Sequence, residues 1–245
     1  EIKEDAEDPR VNPLLGGRVD RAVISIPAYF KAIRTAPIVE AARQAGFETV
    51  DTIAEPTAAA IHHSVQVDED ANILAFDIGA GTLDVTVMMV VREGGELVPG
   101  ELCTSGHEAL GGIDMDDLLR AHVVERFDLR GVESDPGAAA LLLDEVEKAK
   151  IRLSTREATS LDLPGGRSAE LRRGEMEEVL GPLLERFRGP IHVAMLESGL
   201  GPEALDHVLF IGGPTQMPCV RRVVEDEIRR LGIGPALEAR LRATG

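Results

Sequence analysis

Apolar residues fall into short β-branched runs separated by longer segments of helical period, and the alternation of the two predicts the elements. Arg21 to Ile26 is an apolar run ending at Pro27, the pattern of a buried strand. A helical segment follows to about Ala45, and because Pro is comfortable only in a first turn, its regular part is expected to begin near Thr35 or Ala36, just ahead of Pro37. Glu48 to Ile53 reads as a second strand, and Pro56 to His62 as a short Ala-rich helix with Pro at its start. Asn72 to Phe76 and Leu83 to Val91 are two strand-like runs joined by a glycine-bearing tip, and a third strand from about Leu97 to Thr104 completes a meander. Helices are expected over about 112–128 and 137–154, then a short strand near 158–163 and a Gly-rich turn. A long helix over about 174–198 should break or kink at Gly181-Pro182 and Gly189-Pro190. A last strand from Leu205 to Ile211 and a last helix from Pro218 to Leu231 close the pattern. Strands interleaved with crossing helices predict an α/β chain.

Composition narrows the classes. The 245 residues are 44% apolar, enough for a large core. Acidic residues number 43 against 26 basic ones, a formal charge of -17 that repels phosphate backbones and anionic membranes. Six Phe, one Tyr and no Trp leave few platforms for stacking nucleobases of a single strand. Neither nucleic acid nor a membrane is therefore an expected partner. No apolar run reaches the roughly 20 residues of a membrane span, and EIKEDAED at the start is unlike a secretory signal. With only two cysteines, Cys103 and Cys219, in no metal or redox motif, a cytoplasmic location is expected. Residues 1–20 read as an acidic tail or linker.

Five local features could carry chemistry. In the segment Phe76 to Asp84, Gly79 and Gly81 let backbone N–H groups approach an anion, and Asp77 and Thr82 flank them with a carboxylate and a hydroxyl. A strand rather than a helix follows, and no Gly-Lys-Ser/Thr is present, so this is not a Walker loop. Gly212-Gly213 lies between a strand and a helix, where a ligand can reach a helix N-terminus. Gly111-Gly112 opens a helix whose next residues, Asp114, Asp116 and Asp117, are also ordinary first-turn acids. Glu147, Lys150 and Ser154 form one polar stripe beside the apolar stripe of Leu142, Val146, Ala149 and Leu153. Glu55, between a strand and Pro56, could orient a water or act as a base. His62-His63 has no partner at metal-ligand spacing and reads as a surface turn. Taken singly, each feature is equally a hairpin tip, a tight turn or a solvated helix face.

Their order is informative. VISIPAYF at 23–30, AEPTAAAI at 54–61, FDIGAGTLD at 76–84, LGGIDMDD at 110–117, VEKAKIRLS at 146–154 and FIGGPTQMP at 210–218 together resemble the ATPase domain of the 70-kDa heat-shock (DnaK-type) chaperones, from about residue 21 to 231. The resemblance implies an actin-like ATPase fold with ribonuclease H-like lobes, ATP/ADP and Mg²⁺ as ligands, and polypeptide binding in protein folding. It implies a partial first lobe over 21–66 and a second lobe over 67–245, the latter with an inner part (67–105 and 182–245) and an outer helical part (106–181). Asp77, Gly79, Ala80, Gly81 and Thr82 would form a phosphate loop, with Asp77 touching Mg²⁺ through water. Glu55 would help position the attacking water, and Gly112 would sit beside the phosphates. Glu147, Lys150 and Ser154 would contact ribose and adenine, Gly212 and Gly213 would form the adenosine turn, and Gly212→Val would fill the space beside the adenosine.

Ala80 stands where the family usually has glycine, and Gln216 where it has an arginine stacked on adenine. The stretch 158–174 is shorter than the family's hairpin, which bears on recognition by nucleotide-exchange factors. The family's Asp-Leu-Gly-Thr-Thr loop, first-lobe lysine and substrate-binding domain are not in this sequence, so hydrolysis by this chain alone is not expected. Client polypeptides, J-domain and exchange co-chaperones are the implied partners, and self-association through the partial first lobe is a further expectation. Two other readings stand beside this one: a rod-shape-type actin homologue, and a non-catalytic interaction module that keeps the fold.

Overall fold

A computed structural model describes residues 2–14, 17–28, 30, 32–67 and 70–244. Helix α1 (Ile2–Glu7) precedes β1 (Arg21–Ile26), α2 (Ala32–Gln44), β2 (Thr49–Ala54) and α3 (Glu55–Val67). A meander of β3 (Ala71–Ile78), β4 (Leu83–Glu93) and β5 (Glu96–His107) follows. Next come α4 (Gly112–Arg126), α5 (Pro136–Leu153), the hairpin of β6 (Ala158–Leu163) and β7 (Arg167–Arg172), α6 (Arg173–Leu184) and α7 (Arg188–Ser198). Strand β8 (His207–Ile211), α8 (Pro218–Leu231) and α9 (Pro235–Thr244) complete the chain.

The main sheet has the order β5-β4-β3-β8, antiparallel except where β8 runs parallel to β3. Successive side chains of a strand point to opposite faces, and here both faces are covered. Leu74, Phe76 and Ile78 of β3 and Val85 and Val87 of β4 join the large core with Leu119, Val146, Phe187 and Ile191. Ile73, Ala75, Met88 and Val90 pack on the other side with Ala60 of α3. Burial on two faces explains why β3 reads as a nearly continuous apolar run. The β4–β5 register shifts between Val87 and Met88, which pair with Cys103 and Glu101 and leave Leu102 without a direct partner. Strands β1 and β2 form a separate parallel pair in which no residue is fully buried, and Val23 is 68% exposed.

Several elements depart from expectation. Helix α2 begins at Ala32 rather than near Thr35 or Ala36, and Pro37 lies inside it. Only Ala42 of this helix is buried, so the one backbone bond that Pro37 cannot make is lost on a largely solvated helix. Helix α3 runs on to Val67 and carries His62 and His63, so the pair lies on a helix and not in a turn. The long helix expected over 174–198 is divided by a 3₁₀ turn at Glu185–Phe187 rather than at its Gly-Pro pairs. Pro182 sits in the last turn of α6, and Pro190 in the first turn of α7, where its missing N–H costs nothing. Strand β7 was not anticipated; it returns along β6 after Gly165 and Gly166, which adopt φ of 80° and 72°. Helix α9 was not anticipated either, and it buries Leu237 and Leu241 one turn apart. At the start, α1 is helical where a tail was expected, with Lys3 above the Phe47 ring and Glu7 accepting the Val19 N–H. No helix among the described residues is long and apolar enough to cross a membrane.

Candidate functional site

The tip between β3 and β4 is a closed hairpin, with Gly79 N–H donating to the Thr82 carbonyl at 2.9 Å. The segment entering α4 docks on this tip. Leu110 N–H donates to Gly81 O at 3.2 Å, Gly112 N–H to Gly79 O at 3.0 Å and Ile113 N–H to Ala80 O at 2.7 Å. Such contact needs a glycine at 111, because a Cβ there would lie 2.6 Å from Ala80 O. Asp114 fixes the start of α4 by accepting the Gly111 N–H at 2.7 Å.

Beside this junction opens a cavity of about 370 Å³. Gly79 and Ala80 line it from the hairpin, Gly112 from α4, Glu147 and Lys150 from α5, Ser154 from the cap that ends α5, and Gly213 and Gln216 from the turn after β8. Eight expected site residues, distant in sequence, thus share one hollow. The stripe on α5 faces it because Leu142, Val146, Ala149 and Leu153, on the adjoining side of the helix, anchor it in the core. The two lysines of α5 divide: Lys148 pairs on the surface with Asp144 at 2.5 Å, whereas Lys150 is buried.

Glu55, Asp77, Gly81, Thr82 and Gly212 do not line the cavity. Glu55, Asp77 and Asp84 instead form a neighbouring group of interacting carboxyls. Burial, then the charge of Glu55, raises Asp77 to about 6. Burial, then Asp77 and Glu55, raises Asp84 to about 7. Burial also raises Glu55. The charge of Glu55 disfavours ionised Asp77 and Asp84, and that of Asp77 disfavours Asp84, a repulsion that a cation would relieve. Among the described residues no group of three or more His, Cys, Asp or Glu could hold a metal ion by itself.

Gly212 packs against the chain's own backbone. Its φ is 89°, and a Cβ would lie 2.0 Å from the Ile78 carbonyl oxygen. A valine there would drive into β3 rather than fill the cavity, so its first effect would be on folding. Gly213 faces the cavity, and Thr215 ties the turn together by donating its hydroxyl to Gly212 O at 2.7 Å.

Sequence reading missed Asp116 as a cavity residue, having taken it for a helix-start acid, and missed the apolar walls Ile113, Ile151, Pro214 and Met217. Asp116 lies one turn beyond Gly112, so helical spacing alone could have placed it on the same face. The walls carry no sequence signal, since isolated apolar residues at turns and helix edges are common.

A mixed sheet with helices on both faces, a glycine hairpin and a cavity between two helices and a strand-to-helix turn define an actin-like ATPase fold. The model of the family described as "Hsp70 protein" matches residues 2–232. Proteins named "Chaperone protein DnaK" are similar: that of Thermoplasma acidophilum is 40% identical over 238 residues, 92% of this chain and 37% of the relative. That of Methanothermobacter thermautotrophicus is 37% identical over 240 residues, 93% of this chain and 39% of the relative. That of Thermus thermophilus is 37% identical over 226 residues, 86% of this chain and 36% of the relative. The chain belongs to the Hsp70 family and corresponds to its nucleotide-binding domain. It spans less than two fifths of the length of these relatives. The match selects the chaperone family over the rod-shape actin homologue.

Proposed function

We propose that this chain binds ADP and ATP in the cavity between α4, α5 and the turn after β8, as part of a chaperone cycle that couples nucleotide state to polypeptide binding. The observation that carries the reading is the convergence of Gly79, Ala80, Gly112, Glu147, Lys150, Ser154, Gly213 and Gln216 on one hollow. Lys150 and Glu147 offer a cation and a carboxylate to a polar ligand, and Ile113, Ile151 and Met217 offer apolar walls to a flat base. The backbone N–H groups of Ala80 and Gly81 would face the phosphates, with Thr82 shaping that loop. Asp77 would hold Mg²⁺ through water, Mg²⁺ supplying charge neutralisation at the phosphates when bound. Glu55, beside Asp77, would orient water toward the same place.

In this reading 21–66 belongs to a first lobe and 67–245 to a second, divided into the inner and outer parts given above. Client polypeptides, J-domain proteins and exchange factors are partners of the whole chaperone, in a cytoplasmic setting. Calorimetric titration of the chain with Mg²⁺·ADP tests the reading. Binding with a Kd in the high micromolar range is expected, since roughly 10³-fold is lost when two or three charge-assisted contacts are missing. No saturable binding up to about 5 mM, well beyond that range, would overturn it.

A further inference from the structure

Lys150 and Asp116 are each 7% exposed and meet at the wall of the cavity. The Lys150 ammonium donates to Asp116 Oδ2 at 2.8 Å and to the Gly112 carbonyl at 3.0 Å. An ammonium has three donors, and the third has no partner among the described residues. Gly112 is itself bound to the hairpin through its N–H on Gly79 O. One lysine from α5 is thus fixed to the first turn of α4 and, through it, to the hairpin. A lysine side chain free to move would lose considerable rotamer entropy on meeting a ligand; this one has lost it beforehand. Asp116 gains little from the arrangement. Its Oδ1 is buried without any hydrogen-bond partner, and an unsatisfied buried oxygen is a cost that calls for a reason. Burial raises its pKa against the opposing hydrogen bond and charge of Lys150.

We propose that Asp116 is a positioning residue, which holds the Lys150 ammonium so that its remaining N–H points at the ligand in the cavity. The inference rests on the nucleotide reading above and adds to it a residue that acts through Lys150. Its cost in an unsatisfied oxygen is accepted because the other oxygen orients the cation. The geometry also makes Lys150 a tie between the outer helices and the glycine hairpin, with Asp116 as its clasp.

The test is a double-mutant cycle on the whole chain with Mg²⁺·ADP, using Asp116→Asn, Lys150→Met and the pair, with thermal melting of each. Asp116→Asn should weaken binding by about 10-fold, the order of one charge-assisted contact. In the Lys150→Met background the same change should move Kd by less than about 2-fold, because the group it orients is gone. A merely structural role would weaken binding equally in both backgrounds and would overturn the inference. So would an Asp116→Asn chain that binds like the parent. A second readout needs no ligand. The Lys150 ammonium should give an observable ¹H–¹⁵N signal in the parent and lose it in Asp116→Asn; a signal unchanged in the variant would also overturn the proposal. If the parent binds no ADP, the nucleotide reading falls and this inference falls with it; if the parent binds and the cycle is additive, this inference alone falls.

Discussion

The main sheet and the β1–β2 pair join their strands equally well and are buried very unequally. In β3, six of the eight residues are buried, with apolar neighbours on both faces. In β1 and β2 none is, and exposed and half-buried positions alternate along β1. Backbone pairing is the same in kind, so the difference lies in what covers the faces. Hydrogen bonds contribute modestly to net stability because water competes for the same groups, whereas covered apolar surface contributes throughout. The β1–β2 pair should behave as a local unit that opens readily, and the main sheet as the unit whose opening is global unfolding. The cavity is built from the main-sheet hairpin, the turn after β8 and helices α4 and α5, which share the large core, and a rigid core is where a preorganised site needs to be.

The largest expected effect is in amide exchange of the free chain. Protection at 71–78 and 83–91 should exceed that at 21–26 and 49–54 by at least about 10³-fold, reflecting global against local opening. Equal protection would erase the distinction between the sheets.

Next is a pair of truncations. Phe76 is fully buried against Phe187, with ring centroids 5.5 Å apart, and Phe76→Ala should cost about 3–5 kcal/mol in denaturant unfolding. Val23→Ala, at a position 68% exposed, should stay within about 0.5 kcal/mol. A Val23 effect above 2 kcal/mol, on the scale of a core truncation, would show that β1 has a covered face.

A pH effect should follow from the acids beside the hairpin. Asp84 rises from its ordinary 3.8 to about 7, and Asp77 from 3.8 to about 6, so the folded chain holds protons that the unfolded chain releases. The penalty is absent below about pH 4, grows as pH rises, and is complete above about pH 7. Asp84→Asn should therefore stabilise the chain at pH 8 by about 1–3 kcal/mol, discounted for partial solvent screening, and leave it unchanged near pH 4. Equal effects at both pH values would assign the cost to packing instead of charge.

The smallest expected effect concerns the cavity. Gln216→Arg would place a guanidinium where it can stack on a bound base, and should tighten ADP binding by about 2- to 10-fold. Weaker binding in the variant would show that the base lies elsewhere.

Burial also explains what could be read in advance. Strands β3 and β8 were legible because both are apolar along most of their length, and α8 because Pro218 starts it and Gly232, at φ 99°, ends it. Strand β7 was hidden by Arg167, Glu170 and Arg172, since only Leu171 of its six residues is buried. Pro37 misplaced the start of α2 because a surface helix can give up one hydrogen bond. In the site, the glycine motifs and the α5 stripe were legible only through their order, each being ambiguous alone. The direction in which Gly212 faces, the pairing of Asp116 with Lys150 and the apolar walls depend on how segments more than 30 residues apart meet. No local pattern records that.

The central claim is that the nucleotide site belongs to the main sheet and its helices. Hydrogen exchange measured with and without saturating Mg²⁺·ADP tests it most directly. Protection should increase at 79–82, 110–116, 147–154 and 212–217 and stay unchanged at 21–26 and 49–54. Increased protection confined to 21–54, or none anywhere while ADP binds, would contradict the account.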